Sequence, residues 1–368
     1  MEHDGNRLAG VVLAAVLIFG LVSSVLTLGS EQGRALLTSF TLAEVADGTA
    51  TDRLAKTLND DLLGGDVLAE TAHAIDWVAL GDLGTQVRLG CDGYLFLREE
   101  FDVQPGGAAA IARRAAMAGE VSRLLAAQGI HLTVVVTPDK SRMMTGELCG
   151  LRRSAASAGR IDGFFAALAG HGVDGFDLRP AIAAIDRPYY KTDTHWNEAG
   201  AGAAAKAIAD HLATAHLAPE AGPPVPVVTG EPRERVGDLI RLAGLDGVAA
   251  PFRPDGDMVA ESEITLPVVE ADDLLGDMVG PPVAVIGSSY SRNGNFIGFL
   301  AAALSAPIAD MARDGGAFAG AAMPYFDNPA FIETPPQVIV WEIPERVLDS
   351  AITPDEEAWA ADLSAGRL

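Results

Sequence analysis

Three short runs constrain this chain more than any other feature: His131-Leu132-Thr133-Val134-Val135-Val136, Pro282-Val283-Ala284-Val285-Ile286 and Gln337-Val338-Ile339-Val340-Trp341-Glu342. Each is of strand length, rich in β-branched residues and apolar without alternation, the pattern of a strand covered on both faces. Helical signals lie between them. Gly106 to Gln128 is alanine-rich and ends at Gly129, Ile161 to Gly170 and Phe296 to Leu304 follow the same logic, and Glu198 to Ala215 has Asn197 placed as its cap. Gly93 to Leu97 and Val173 to Leu178 add strand signals. Strands alternating with helices predict an α/β fold: a doubly wound, mostly parallel sheet flanked by helices. No fixed-period repeat competes with this.

The first residues add a different element. Leu8 to Leu28 is uncharged and predominantly apolar, interrupted only by Ser23, Ser24 and Thr27. It is close to the ~20 residues that cross a bilayer as a helix. A cleaved signal peptide is the rival, but the run exceeds a usual h-region and Thr27-Leu28-Gly29 is a poor cleavage site. We therefore expect one N-terminal transmembrane helix in residues 1–30. Residues 31–89 read as a juxtamembrane helical arm, and residues 90–368 as the catalytic domain. Within that domain, residues from about 218 to 280 are acidic and proline-rich at the start, and read as an insertion or lid.

The formal charge of −24 falls almost wholly outside the apolar run. Nucleic acid is not an expected partner for such a surface. A polyanionic glycan would be repelled at long range, although a local basic patch overrides this within roughly 8 Å at physiological salt. Two cysteines, Cys91 and Cys149, border core strand signals. In an exported protein an even pair is read as a disulfide, with two separate buried thiols as the alternative.

Chemistry concentrates in two segments. Thr192-Asp193-Thr194-His195-Trp196-Asn197 holds a carboxylate and an imidazole two residues apart, which in extended backbone share one face. Gly287-Ser288-Ser289-Tyr290-Ser291 follows an apolar strand and precedes a helix, so its serines sit where open α/β sheets bind ligands. Together they supply nucleophile, base and orienting acid for acyl transfer, with Ser289 preferred and Ser288 and Ser291 as alternatives. A metal held by Asp193 and His195 is the competing reading, but no further ligand cluster completes it, so no metal or other cofactor is expected. Tyr190, Lys191, Trp196, Lys140, Arg292 and Arg346 are candidate substrate contacts. For Lys140, Arg142, Glu342 and Arg346, ion pairs that tie loops together are the alternative.

Five motifs occur in one order: Asp92-Gly93-Tyr94-Leu95-Phe96-Leu97, Pro138-Asp139-Lys140, Thr192 to Asn197, Gly287 to Ser291, and Trp341-Glu342-Ile343-Pro344-Glu345-Arg346. In these the chain resembles, over most of its length, the bacterial polysaccharide (alginate-type) O-acetyltransferases, an AlgJ/AlgX-like family with an SGNH-hydrolase-like catalytic domain. The resemblance implies that Asp193, His195 and Ser289 form a triad, in a chain order permuted relative to ordinary SGNH enzymes. It implies O-acetylation of an exported polysaccharide through an acetyl-serine. The acetyl donor would be supplied by a multi-span membrane acyltransferase, and the domain would lie in the periplasm on a single-pass inner-membrane anchor. Ser288 and Tyr94 depart from the usual pattern, where threonine or aspartate, and tryptophan, are commoner. A carbohydrate esterase or deacetylase of the same fold shares this chemistry, and a non-catalytic glycan-binding component of an export complex is the alternative of another class.

Overall fold

The computed structural model describes residues 2–266 and 280–368. The chain divides into two units, Met1–Asp82 with Gly244–Arg253, and Leu83–Ala243 with Pro254–Leu368.

The first unit is helical, with elements Glu2–Gly29, Glu31–Ser39, Leu42–Asp47, Thr49–Asp60 and Gly65–Leu80. Local chemistry sets the breaks. Ser30 caps the second helix by accepting from the Gly33 N–H, and Thr41 and Glu44 form a capping box on the third. Gly48 and Gly81 take φ of +90° and +66° at helix ends, where a side chain would be strained. The helix Glu2–Gly29 carries the apolar run, and its large side chains from Val11 onward are mostly exposed. Among the described residues no single helix is long and apolar enough to cross a membrane. The pair Leu13–Gly29 and Glu31–Ser39, bent by 76°, is so by length and composition.

The second unit is built on five parallel strands: β1 (His131–Thr137), β2 (Asp174–Asp177), β3 (Val283–Ile286), β4 (Ile308–Asp310) and β5 (Val338–Pro344). Their order across the sheet is β4-β3-β5-β1-β2. Because side chains alternate along each strand, the apolar runs feed two cores. Val134, Val136, Ala284, Ile286, Ile339 and Trp341 join one cluster with residues of the helices Gly107–Ala126, Arg160–Gly170 and Pro354–Ser364. Val135, Val283, Val285, Val338 and Val340 join the other with residues of Glu198–Thr214 and Phe296–Leu304. A doubly wound sheet results, as its unalternating strands require.

One expectation needs amendment. Thr192 to His195 is not an extended strand but a bent loop, closed by a bridge between Tyr189 and Trp196. The stretch read as an insertion is ordered around two antiparallel ribbons, Val227–Thr229 with Ser262–Ile264 and Arg233–Arg235 with Asp257–Val259. Its residues 267–279 lie outside the described residues. Cys91 and Cys149 form a disulfide with Cα atoms 5.1 Å apart.

Candidate active site

The loop carrying Asp193 and His195 is held from all sides. Beneath it the buried Lys140 ammonium donates to the carbonyls of Leu95, Lys191 and Asp193 at 2.6, 2.9 and 2.9 Å. From the second ribbon, the Asp257 carboxylate accepts from the N–H groups of Lys191 and Thr192 and from the Thr192 hydroxyl. Asp238 accepts from the Thr194 N–H at 2.7 Å. The buried Trp196 ring donates to the Tyr290 carbonyl at 3.0 Å, tying this loop to the serine segment. Asn197 then caps the helix Glu198–Thr214 through the Gly200 N–H.

Within the loop, Asp193 Oδ1 accepts from the His195 backbone N–H at 3.0 Å and lies 2.6 Å from His195 Nδ1. The bend, rather than extended pleating, thus brings acid and imidazole together. On the other side of the ring, His195 Nε2 lies 2.8 Å from Ser289 Oγ. Ser289 opens the short helix Ser289–Arg292 just beyond β3. Ser288 caps that helix, and its N–H and hydroxyl both donate to Glu342 Oε2 at 2.8 Å; the Ser291 hydroxyl donates to the same oxygen at 3.0 Å. Glu342 is fully buried and accepts from Thr137 with its other oxygen. Two of the three candidate serines are therefore engaged by the sheet, and Ser289 is the one within reach of His195. Gly287 permits this packing, since a β-carbon there would come within 2.9 Å of the Glu342 carboxylate.

The cleft in front of Ser289 encloses about 340 Å³ and is lined by Ser289, His195, Arg235, Arg241, Asn293 and Gly315 among others. Arg235 donates to Asp193 Oδ2 at 3.0 Å and to Asn293 Oδ1 at 3.1 Å, and Asn293 donates in turn to the Ser289 carbonyl at 2.8 Å. Burial alone would raise the Asp193 carboxyl, but the hydrogen bonds and charge of His195, with Arg235, outweigh it and hold the group well below the ordinary carboxylate range. Asp238 goes the other way, raised by burial and by the neighbouring Asp193 charge. Asp193, His195 and Asp238 place three ligand-type atoms within 4.8 Å of one another. Arg235 already compensates that charge, and a cation there would lie beside a guanidinium.

The structure separates the remaining candidates. Lys140 and Trp196 are completely buried and cannot touch a substrate; both support the loop from behind. Arg346 is likewise turned inward, its guanidinium 5.5 Å from the Tyr290 ring centre and 3.9 Å from Glu99. The neighbouring Arg142 and Arg153 both pair with Glu345, and Arg153 and Arg160 with Asp139, which is the loop-tying role. Arg292 is exposed and 3.4 Å from Asp314, a residue of the Ser289 cleft. Tyr190 and Lys191 line an adjacent cleft of about 300 Å³ with Tyr94, Arg187 and Asp257, and Arg235 stacks 4.8 Å over the Tyr190 ring. Arg235, Asp238, Asp257 and Asn293 were not anticipated. The first three lie in the acidic stretch, where no motif or period marks them, while Asn293 follows the serine motif by two residues.

A hydroxyl, an imidazole and a buried carboxylate thus stand in series just beyond the carboxyl end of a parallel strand, on the side where open α/β sheets bind ligands. The model of the family described as SGNH hydrolase-like domain, acetyltransferase AlgX, matches residues 87–345, and the chain belongs to that family. The probable alginate O-acetylase AlgJ of Pseudomonas aeruginosa is 30% identical over 307 residues, covering 79% of this chain and 78% of that protein. Among solved structures, the O-acetyltransferase domain of Pseudomonas putida AlgJ superposes with a TM-score of 0.66 at 29% identity, over 76% of this chain and 99% of that one. Pseudomonas aeruginosa AlgX, at 22% identity and a TM-score of 0.55 over 80% of this chain and 71% of that one, shares the fold.

Proposed function

We propose that the chain is a serine-dependent O-acetyltransferase acting on an exported polysaccharide of the alginate type. The observation that carries this is the unbroken series Ser289 Oγ, His195 Nε2, His195 Nδ1, Asp193 Oδ1, at 2.8 and 2.6 Å, in a chain of this family. Ser289 Oγ attacks the acetyl carbonyl while His195 Nε2 takes its proton. The donor's leaving group departs with that proton, leaving acetyl-Ser289. A sugar hydroxyl then attacks the ester, again giving its proton to His195, and Ser289 leaves reprotonated. Asp193 orients the ring and stabilises the imidazolium. The Ser289 N–H is a donor for the transient oxyanion.

The apolar run Leu8 to Leu28, with the bent pair Leu13–Gly29 and Glu31–Ser39 that carries most of it, supports a membrane anchor, and we place the catalytic unit on the periplasmic side of the bacterial inner membrane. A multi-span membrane acyltransferase would present the acetyl group there. Supplying the full chain in detergent with an activated acetyl ester and alginate oligosaccharides tests the proposal. Ester groups on the sugar that depend on Ser289 are expected; release of acetate with no sugar product would convert the assignment to an esterase.

A further inference from the structure

The cleft that Tyr190 and Lys191 line, beside the catalytic one, has its acceptors engaged and its donors open. The Asp257 carboxylate takes the N–H groups of Lys191 and Thr192 and the Thr192 hydroxyl. Glu198, also in the lining, accepts from the Ser262 N–H at 2.9 Å and from the Ser262 hydroxyl at 2.6 Å. Asn197 caps its helix with Oδ1 and donates through Nδ2 to the Arg187 carbonyl. The donors contrast with these. Among the described residues the Lys191 ammonium has no ion pair, and the hydroxyls of Tyr94 and Tyr190 have no hydrogen-bond partner. Neither hydroxyl is sealed from solvent, so both open into the cleft. Burial pushes both phenols up, Tyr190 to about 12, which keeps them donors at neutral pH. Arg187 at the rim is 63% exposed and reaches Glu147 only at 4.0 Å.

Lys191 is not a loose surface lysine. It is half-buried, and its side chain lies over the turn Cys91–Gly93, where Gly93 takes φ +78° and a β-carbon would come within 2.8 Å of Lys191 Cε and 3.1 Å of Nζ. The disulfide from Cys91 fastens that turn. The Lys191 backbone is fixed as well, its N–H by Asp257 and its carbonyl by the Lys140 ammonium. A cation is thus positioned in the cleft without a counter-ion, in a chain whose formal charge is −24. A half-buried charge ordinarily has a partner, and an ammonium flanked by two phenol donors is suited to a carboxylate. The place of the cleft decides whose carboxylate. The Arg235 guanidinium lies 4.8 Å over the Tyr190 ring, and Arg235 itself lines the Ser289 cleft. One ring and one guanidinium separate the two clefts, so a polymer that presents a hydroxyl to Ser289 brings a neighbouring residue to Lys191.

We propose that this cleft is an acceptor subsite for the carboxylate of a uronate residue next to the one being acetylated, with Lys191 as its charge partner and the Tyr94 and Tyr190 hydroxyls as donors. The proposal rests on the transferase reading above and adds the residues that tell an acidic glycan from a neutral one. Lys191 holds the acceptor and takes no part in the proton transfers. An anionic leaving group on the acetyl donor would offer the same chemistry to the cleft, and the test separates the two.

Binding is measured by calorimetry on the full chain in detergent, carrying Ser289→Ala so that no transfer intervenes. The ligands are an alginate oligosaccharide, the same oligosaccharide with its carboxyl groups reduced to alcohols, and acetyl phosphate as an anionic donor. The uronate form should bind more tightly than its reduced counterpart. In Lys191→Met that preference should fall about 10- to 100-fold, and in Lys191→Arg most of it should remain. Tyr190→Phe, which keeps the ring beneath Arg235, should lower it by a smaller factor. A preference unchanged in Lys191→Met would overturn the inference, as would equal binding of the two oligosaccharides by the parent. Dependence on Lys191 of acetyl phosphate binding alone would assign the cleft to the donor and overturn it too. A Lys191-dependent preference for uronate in a chain that forms no acetyl-Ser289 when its serine is intact would uphold the acidic-glycan site and overturn the transferase reading alone.

Discussion

Arg235 is the residue that most alters the account of the site. It reaches Asp193 from a ribbon more than forty positions along the chain, so the carboxylate facing His195 is itself neutralised from the rear. Removing the cation in Arg235→Gln lets the Asp193 carboxyl rise back toward its ordinary value. The acid-side loss of activity should then begin at higher pH than in the parent, while Arg235→Lys keeps the charge and leaves that limb nearer its place. An acid limb unchanged in Arg235→Gln would remove this role. Asp193→Asn keeps the shape but not the charge, and should lower the acylation rate by roughly 10³- to 10⁴-fold with little change in thermal stability. A rate within a few-fold of the parent would show that the carboxylate does not act on His195.

At the scale of elements, the acid–base loop depends on supports that never meet the cleft. Lys140 is pushed down to about 8 by burial, against Glu100 and Asp257, so at neutral pH it remains an ammonium donating to three carbonyls. Lys140→Met would leave those carbonyls without their donor and should cost about 3 kcal/mol or more, read as a lower urea midpoint. The disulfide ties the turn before Leu95–Leu97 to the loop after Thr145–Glu147, across a sequence separation of 58. Loop-closure entropy puts its contribution near about 4 kcal/mol, so reduction should lower the melting temperature of the second unit measurably. A chain that melts identically with and without reductant would contradict this.

For the whole molecule, legibility followed the range of the interactions. The sheet could be read because each strand announces itself locally, as the runs before Thr137 and Ile286 do. The meeting of Asp193, His195 and Ser289 was legible because few residue types do acyl chemistry and these stand in short motifs beside strand ends. The bend that joins Asp193 to His195 was not, since Asp257 and Asp238 impose it from distant sequence. Lys140 and Trp196 look alike in sequence whether they face the cleft or its rear, so position in a motif could not tell support from contact. Arg235, Asp238 and Asp257 were hidden in a stretch where charged residues are common and nothing periodic singles them out.

The central claim is that Ser289 becomes covalently acetylated. Intact-mass analysis of the full chain in detergent, after incubation with an activated acetyl ester and followed by peptide mapping, tests it directly. The account predicts one added acetyl group on the peptide containing Ser289, absent from Ser289→Ala and greatly slowed in His195→Ala. No adduct on the parent chain, or an adduct that persists in Ser289→Ala, would contradict it.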